Sequence, residues 1–571
     1  MKTRLIPGRA AVRRDDLVWV ERPTWPLPTA TCRWRVRRDS YQGLRVLPAR
    51  WRAGRPPERA GSPFHPDQIR PRSEGLTSNC NSEMFLAGYY GSLPPVFCLL
   101  VFIISLALPV ALNAAVTTPA RPNIVIFLTD DQSQLDCSPY GSTLPTPNLQ
   151  RLANAGLTFA SAFVASPSCA PSRAALLTGL MPARNGAEPN HAKPRAEIKK
   201  WPAYFQEQGY EVVAFGKVSH YGHTKDYGFD HFAHDTFHNP EGIPAAVQWL
   251  KHRPRANAKP LCIFVGSNWP HVPWPTNTAG YDPAALSLPA GSVDTPATRR
   301  WRARYAAAVT KADDELGLVY DTAQETLGTN AVFLFSSDHG AQWPFGKWNL
   351  YDAGIRVPLI VAWPGVIQPK QRTEAMVSWV DFLPTLLELA GGKAPGDLDG
   401  KSFAGVLLGK TAQHRERIFT THSGDQHFNI YPMRSVRSDR WKYILNLHPE
   451  FAFTTHIDLP VNLGQRAYFA TWEAAAKTNA SAAAIVQRYH ERPAEELYDL
   501  TADPGEQHNL ASDARHAARL KEMRAELETW LHEQDDQRKV FNEPRRLTDT
   551  SSYGPGAALR NAPPQRQKRE Q

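Results

Sequence analysis

The strongest chemical signal in the chain is the stretch Ser166-Pro-Ser-Cys-Ala-Pro-Ser-Arg-Ala-Ala-Leu-Leu-Thr-Gly179, in which Cys169 is followed at fixed offsets by Pro171, Ser172 and Arg173. Proline fixes its own φ and disfavours the α region for the residue before it, so the chain is expected to run extended through the cysteine and turn helical afterwards. Ala174 to Leu177 are good helix formers and Gly179 is a suitable stop. The expected result is a thiol at or just before a helix N-terminus, where free backbone N–H groups and the dipole favour an anion, with Arg173 one turn on. Taken alone, a cysteine before a helix reads equally well as a buried structural thiol.

Other residues with chemical potential sit where apolar runs end. Asn123-Ile-Val-Ile-Phe-Leu-Thr129 reads as a buried parallel strand and delivers Asp130-Asp131. Ligands gather at the C-terminal edge of such strands. Adjacent carboxylates repel, and a cation between them relieves the repulsion; hard oxygen ligands suit Ca²⁺ or Mg²⁺. Tyr210–Phe215 delivers Lys217 and His220, Pro260–Val265 runs into His271, Ala331–Ser336 ends in Asp338-His339, and Lys347 follows in Gly346-Lys-Trp-Asn-Leu-Tyr-Asp352. A histidine supplies a general acid near neutral pH. By themselves Asp130-Asp131 read more simply as a solvated turn and Lys217 and His220 as surface positions, while His271 reads equally as a loop histidine.

The spacing Cys169-Ala-Pro171-Ser172-Arg173 resembles the signature of the type I sulfatases, and Arg121-Pro-Asn-Ile-Val-Ile-Phe-Leu-Thr-Asp-Asp131 resembles their opening strand. The order of motifs matches that family throughout residues 121 to 361. The resemblance implies an α/β, alkaline-phosphatase-like fold: a mixed central sheet flanked by helices, with a smaller C-terminal α+β domain containing an antiparallel sheet. It also implies that a formylglycine-generating maturation enzyme oxidises Cys169 to formylglycine, whose hydrated aldehyde attacks sulfur and whose second hydroxyl then expels sulfate. By the same resemblance Asp130, Asp131, Asp338, His339 and the Cys169 position bind the metal, Ca²⁺ with Mg²⁺ as second candidate. Arg173, Lys217, His220 and His271 serve the reaction, and Lys347 and His191 hold the substrate. The layout of Met433 to Leu510, and Asn185-Gly186 followed by His191, look most like the heparan N-sulfatases (N-sulfoglucosamine sulfohydrolases). Lys217-x-x-His220 and Asp338-His339 look more like the iduronate sulfatase branch. The implied substrate is a sulfated saccharide carrying an O-sulfate or an N-sulfate. Two other readings stay open, a phosphonate or phosphate monoester hydrolase of the same superfamily and a catalytically silent sulfated-glycan binding protein.

The elements that must position these residues are legible in outline. Helix signals mark Pro147–Ala155, about Ile198 to Gln208, and Ala297 to Leu318 with a second helix to Glu325. Ala353–Val361 reads as a closing strand, Met433–Leu445 alternates like antiparallel strands, and Leu520, Met523, Leu527, Trp530 and Leu531 fall at helical spacing for core packing. The net charge of +10 over 571 residues invites a nucleic-acid reading, but residues 1 to 83 hold 17 Lys and Arg against 8 Asp and Glu, and the rest is nearly balanced. No nucleic-acid partner is expected. Residues 1–83 read as a basic extension, disordered or upstream of the true start. Met84 to Ala115 reads as a signal peptide on the apolar run Val96–Leu112. Residues 119–430 form the expected catalytic domain, 431–545 the antiparallel-sheet subdomain and 546–571 a disordered tail. Export to the periplasm or the secretory route is expected, with no stable membrane span beyond the signal. It leaves Cys137, Cys169 and Cys262, an odd count that argues against a disulfide framework.

Overall fold

The apolar run that ends in two aspartates becomes strand β1, Asn123–Thr129, buried from Ile124 onward. The computed structural model describes residues 121–553 apart from 237–238, 255–257, 426–428 and 459–467. The expected extension and signal at 1–115, and the tail beyond 553, lie outside the described residues.

Beside β1 lie β2 (Leu157–Phe163), β3 (Glu211–Gly216), β4 (His231–Ala233), β5 (Leu261–Gly266), β6 (Ala331–Ser337), β7 (Arg356–Ala362), β8 (Gln371–Thr373) and β9 (Val377–Ser378). They form one 9-stranded sheet in the order β4-β3-β5-β1-β6-β7-β2-β8, with β9 paired to β2. β4, β3, β5, β1 and β6 are mutually parallel, and β7 is antiparallel to both β6 and β2, so the sheet is mixed as expected. The parallel register sets up the site. Thr129 pairs with Ser337, Leu128 with Gly266, and Gly216 with Gly266. The residues that follow, Asp130, Lys217, Ser267 and Asp338, therefore leave the sheet side by side along one edge. Glycine is required where the chains come closest, since a Cβ on Gly266 would lie 2.1 Å from the Lys217 carbonyl oxygen.

Three expectations about elements change. Helix α1, Pro147–Ala155, forms as read, but Gly156 leads directly into β2, whose weak strand formers Ala160-Ser-Ala162 gave no clear pattern. The two helices expected between Ala297 and Glu325 are one helix, Pro296–Leu327. Gly317 lies inside that helix, and its missing side chain makes room for Asn148, which a Cβ would meet at 2.5 Å. Asp313 of the same helix accepts from the N–H groups of Asn148 and Leu149 at 2.9 and 2.8 Å, caps α1 and locks the two helices together. The helix expected from Ile198 spans Trp201–Glu207.

The second sheet joins β10 (Ile418–His422), β11 (Met433–Arg437), β12 (Trp441–Asn446) and β13 (Glu495–Asp499), all antiparallel and in that order. It starts at Ile418, earlier than the expected boundary near residue 431. The last helix, Ala517–Glu533, packs Leu520, Met523, Leu527 and Leu531 against Val436, Tyr443 and Leu497. The chain does not leave the body at residue 546. Arg546 bridges to Phe451, Leu547 N–H donates to the Glu450 carbonyl at 3.1 Å, and Tyr553 packs on His490. Lys442 of β12 bonds Asp352 and Glu506, and Arg437 reaches Asp352 at 3.3 Å, so this sheet holds the segment that carries Lys347. Among the described residues no helix is long and apolar enough to cross a membrane.

Gly266→Ala should cost about 3 kcal/mol or more because the new methyl meets backbone that cannot yield. Gly396→Ala, where nothing lies within 4 Å, should stay within about 0.5 kcal/mol. Denaturant melts of the two variants check the contrast, and equal stabilities would refute the close-approach argument.

Candidate active site

Cys169 is the first residue of helix α2, Cys169–Thr178, which is buried along its whole length and ends at Gly179 in the left-handed region, φ 67°. The thiol therefore stands at the helix N-terminus, as the sequence suggests, although the helical turn already includes the cysteine. Pro171 is accommodated because the N–H groups of a first helical turn lack intrahelical partners anyway. The open anion site expected at this N-terminus is not formed by free N–H groups. Asn190 Oδ1 accepts from Ala170 N–H at 2.9 Å, Pro171 has none to give, and Ser172 N–H returns to the Ser168 carbonyl at 3.1 Å. Positive charge comes from side chains instead. Lys217 Nζ and Lys347 Nζ each stand 3.6 Å from Cys169 Sγ.

The carboxylates lie beneath. Asp130 binds Lys217, and its Oδ1 is 3.7 Å from both Cys169 Sγ and an Arg173 guanidinium nitrogen. Asp131 adopts φ 67°, a strained conformation that aspartate tolerates better than most side chains. Its N–H donates to Asp338 Oδ1 at 3.1 Å, and Lys347 Nζ donates to its Oδ1 at 2.7 Å. Arg173 Nε donates to Asp338 Oδ2 at 2.9 Å, and the same guanidinium reaches the carbonyls of Lys217 and Thr129. Ser172 Oγ donates to the Asp338 carbonyl at 2.6 Å. Arg173 is 0% exposed, so it braces the carboxylates from behind and does not line the cleft above them.

That cleft has a volume of about 300 Å³, with Cys169, Lys217 and Lys347 on its floor and His191, His220, His271 and Asp425 among its walls. His271 Nδ1 donates to the Val272 carbonyl at 2.6 Å, so a neutral ring turns a lone pair on Nε2 toward Asp131 Oδ2, 3.7 Å away. His339 Nδ1 likewise donates to the Gly340 carbonyl at 3.0 Å and leaves Nε2 as acceptor, 3.3 Å from Cys169 Sγ. His191 uses both ring nitrogens on protein partners, His220 Nε2 at 2.7 Å and Asp425 Oδ1 at 3.0 Å. All eleven candidate residues from the sequence therefore come together. Asn190, Asp425 and His456 were not read from the sequence, because they lie in loops with neither strand-end placement nor characteristic spacing.

Burial and charge set the protonation states. Burial raises the Asp130 pKa, but Lys217 and Arg173 outweigh it and hold the carboxyl below the ordinary range. Asp131 is pushed up to about 7 by burial and by the neighbouring carboxylates of Asp130 and Asp338, against Lys347. Burial also raises the Cys169 thiol to about 12, so the sulfur is not a thiolate near neutral pH, despite the two lysines. His339 falls to about 4 through burial and is neutral, as a ligand must be.

The donor set fits a hard divalent cation. Ligand atoms of Asp130, Cys169, Asp338 and His339 lie within 4.8 Å of one another, as do those of Asp130, Asp131, Cys169 and His271. Three carboxylates at one point, the upward shift of Asp131, and a His339 tautomer fixed by the Gly340 carbonyl all ask for added positive charge and supply oxygen-rich ligation.

Comparison with known proteins gives the family. The sulfatase family model matches residues 122–392, and the model for the C-terminal part of N-sulphoglucosamine sulphohydrolase matches residues 339–458. An ulvan-active sulfatase of Formosa agariphila is 31% identical over 73% of this chain and 81% of its own length. Human N-sulphoglucosamine sulphohydrolase is 29% identical over 73% of this chain and 91% of its own. The fold is shared with a solved protein in complex with its substrate D-glucosamine-2-N,6-O-disulfate, at TM-score 0.56 and 20% identity over 74% of this chain and 100% of that one. The chain belongs to the sulfatase family.

Proposed function

We propose that this sulfatase removes sulfate from sulfated saccharides, as an O-sulfate or an N-sulfate, after a formylglycine-generating enzyme has converted Cys169. The observation that carries the reading is the convergence of two buried ammonium groups and a three-carboxylate cluster on Cys169 Sγ at the floor of a cleft. A neutral thiol held at about 12 is a poor nucleophile and a sound precursor. Once formed at residue 169, a formylglycine hydrate would supply one hydroxyl as nucleophile toward sulfur and a second to drive release. A divalent cation held by Asp130, Asp131, Asp338 and His339, proposed as Ca²⁺ with Mg²⁺ as second candidate, supplies positive charge against the sulfuryl oxygens.

The chain's own groups do the rest. Lys217 and Lys347, each bonded to an aspartate and each 3.6 Å from the sulfur position, stay protonated and stabilise the charge that builds on a tetrahedral anion. For both, burial works against the charge but the carboxylates overcome it and raise the pKa. His271, with Nδ1 committed to the Val272 carbonyl, delivers a proton from Nε2 to the leaving oxygen or nitrogen when it is charged. Arg173 fixes Asp338 and the β3 end carrying Lys217. A heparan-type glucosamine is the proposed saccharide, supported by the C-terminal match over residues 339–458. Export is proposed from the leader reading of residues 84–115.

The deciding experiment co-expresses the chain with a formylglycine-generating enzyme, weighs the Cys169 peptide, and assays N-sulfoglucosamine, 6-O-sulfated glucosamine, sulfated ulvan oligosaccharides, an aryl sulfate and an aryl phosphonate. An aldehyde peptide with sulfate release is expected. An unmodified thiol, or phosphonate turnover exceeding sulfate turnover, would sink the proposal. Cys169→Ser should leave sulfate release below detection. Lys347→Ala should lower kcat by about 100- to 1,000-fold, the usual loss for one transition-state donor, as measured by initial rates at saturating sugar sulfate. Chelation should abolish turnover and remove about 4 kcal/mol of stability where the cation had stood near 1,000 times its Kd. Calorimetry with and without Ca²⁺ checks this, and an unchanged melt would count against the metal.

A further inference from the structure

Three side chains from separate segments form a hydrogen-bonded line in the cleft wall. Asp425 Oδ1 lies 3.0 Å from His191 Nε2, and His191 Nδ1 lies 2.7 Å from His220 Nε2. Asp425 is 2% exposed and well anchored. Its Oδ1 also accepts from Asn190 Nδ2 at 3.1 Å, and its Oδ2 stands 3.5 Å from His456 Nδ1. With its oxygens committed to protein groups, Asp425 is placed to orient other side chains and not to bind sugar hydroxyls.

We propose that Asp425 is a positioning residue that, through His191, fixes the tautomer of His220 and leaves His220 Nδ1 as a proton acceptor in the active-site cleft. The proposal rests on the sulfatase reading of this site. An ionised carboxylate only accepts, so the proton between Asp425 and His191 sits on His191 Nε2. A neutral His191 then carries its lone pair on Nδ1, and the 2.7 Å bond must be donated by His220 Nε2–H. That leaves the lone pair of a neutral His220 on Nδ1. This nitrogen is buried and has no hydrogen-bond partner, an arrangement that folded proteins avoid unless the atom has a use.

The surroundings support an ionised Asp425 and a neutral His220. Burial opposes ionisation of Asp425, but the bond from His191 and the proximity of His456 and Asn190 hold its pKa below the ordinary range. Burial first, then His191, Lys217, His223 and Arg173, depress His220 and keep it neutral. Tyr221 stacks on the His191 ring at 5.5 Å and meets His220 edge-on at 4.2 Å, so both rings pack against it. The proton balance is simple. His220 and Cys169 line the same cleft, and a hydroxyl there that reached His220 Nδ1 would give up its proton, one O–H bond breaking as one N–H bond forms, with the imidazolium sharing its charge along the line toward Asp425.

The test is ¹⁵N spectroscopy of the full chain labelled in its histidines, alongside kinetics. In the wild type His220 should show protonated Nε2 and bare Nδ1. Asp425→Leu removes the acceptor, should scramble that tautomer and should lower kcat by about 100-fold with KM nearly unchanged. Asp425→Asn should rescue most of this loss and keep the tautomer, because the Asn190 amide already donates at the Oδ1 position and directs the new carbonyl oxygen toward His191. A wild-type His220 protonated on Nδ1 overturns the proposal whether or not the variants fold. So does Asp425→Leu with tautomer and kcat unchanged. The spectrum needs no turnover, so a chain inactive on every sulfate but showing the expected tautomer would sink the sulfatase reading and leave the positioning role standing.

Discussion

Three buried carboxylates, Asp130, Asp131 and Asp338, share one point at the edge of the sheet, and their mutual repulsion is the constraint on which the rest depends. Folding delivers them there because β1 and β6 are parallel and in register, so that Thr129 faces Ser337 and the next residues have to meet. Left alone they would not stay ionised, and Asp131 shows the pressure most clearly. Lys217, Lys347 and Arg173 answer it from three other segments, Lys217 at Asp130, Lys347 at Asp131, and Arg173 at Asp338 and, more distantly, Asp130. Pairs of this kind add little net stability when complete, but breaking one leaves a buried charge uncompensated, at about 3 to 5 kcal/mol. The ends of β1, β3 and β6, the start of α2 and the Lys347 loop are therefore bound to one another by charge as much as by packing.

That requirement spreads outward. Lys347 sits on a loop between β6 and β7, and a loop does not hold a buried ammonium in place unaided. Asp352 on the same loop is gripped by Lys442 and Arg437 of the second sheet, with Glu506 completing the network. The C-terminal sheet thus acts on the active site without lining its floor. It also supplies Asp425, just after β10, to the cleft wall.

The histidines show a common device. His271, His339 and His191 each commit one ring nitrogen to a group that only accepts: the Val272 carbonyl, the Gly340 carbonyl and the Asp425 carboxylate. Each commitment fixes which nitrogen carries the lone pair, so a side chain with two equivalent-looking ends acquires a defined polarity.

By itself the sequence determined the strands that are buried on both faces, because continuous apolar runs such as Asn123–Thr129 and Leu261–Val265 have few other ways to hide. It determined the residues at their C-terminal ends, and with them the candidate site from Asp130 to Lys347, because strand ends and the Cys169 spacing are local patterns. It also determined the last helix through its periodicity. Tertiary structure alone decided what local pattern does not encode. β2 takes shape where Leu157–Phe159 and Ala162–Phe163 pair with β7, about 200 residues away, on either side of an irregularity at Ala160-Ser161, and only a glycine at 317 leaves room for the Asn148 side chain. Arg173 stands behind the carboxylates instead of in the cleft, since its position follows from the meeting of three chains. Asp425 and Asn190 enter the site from loops whose sequence carries no period. Their role is fixed by distances to His191 and Ala170 that form only when the two sheets are in place.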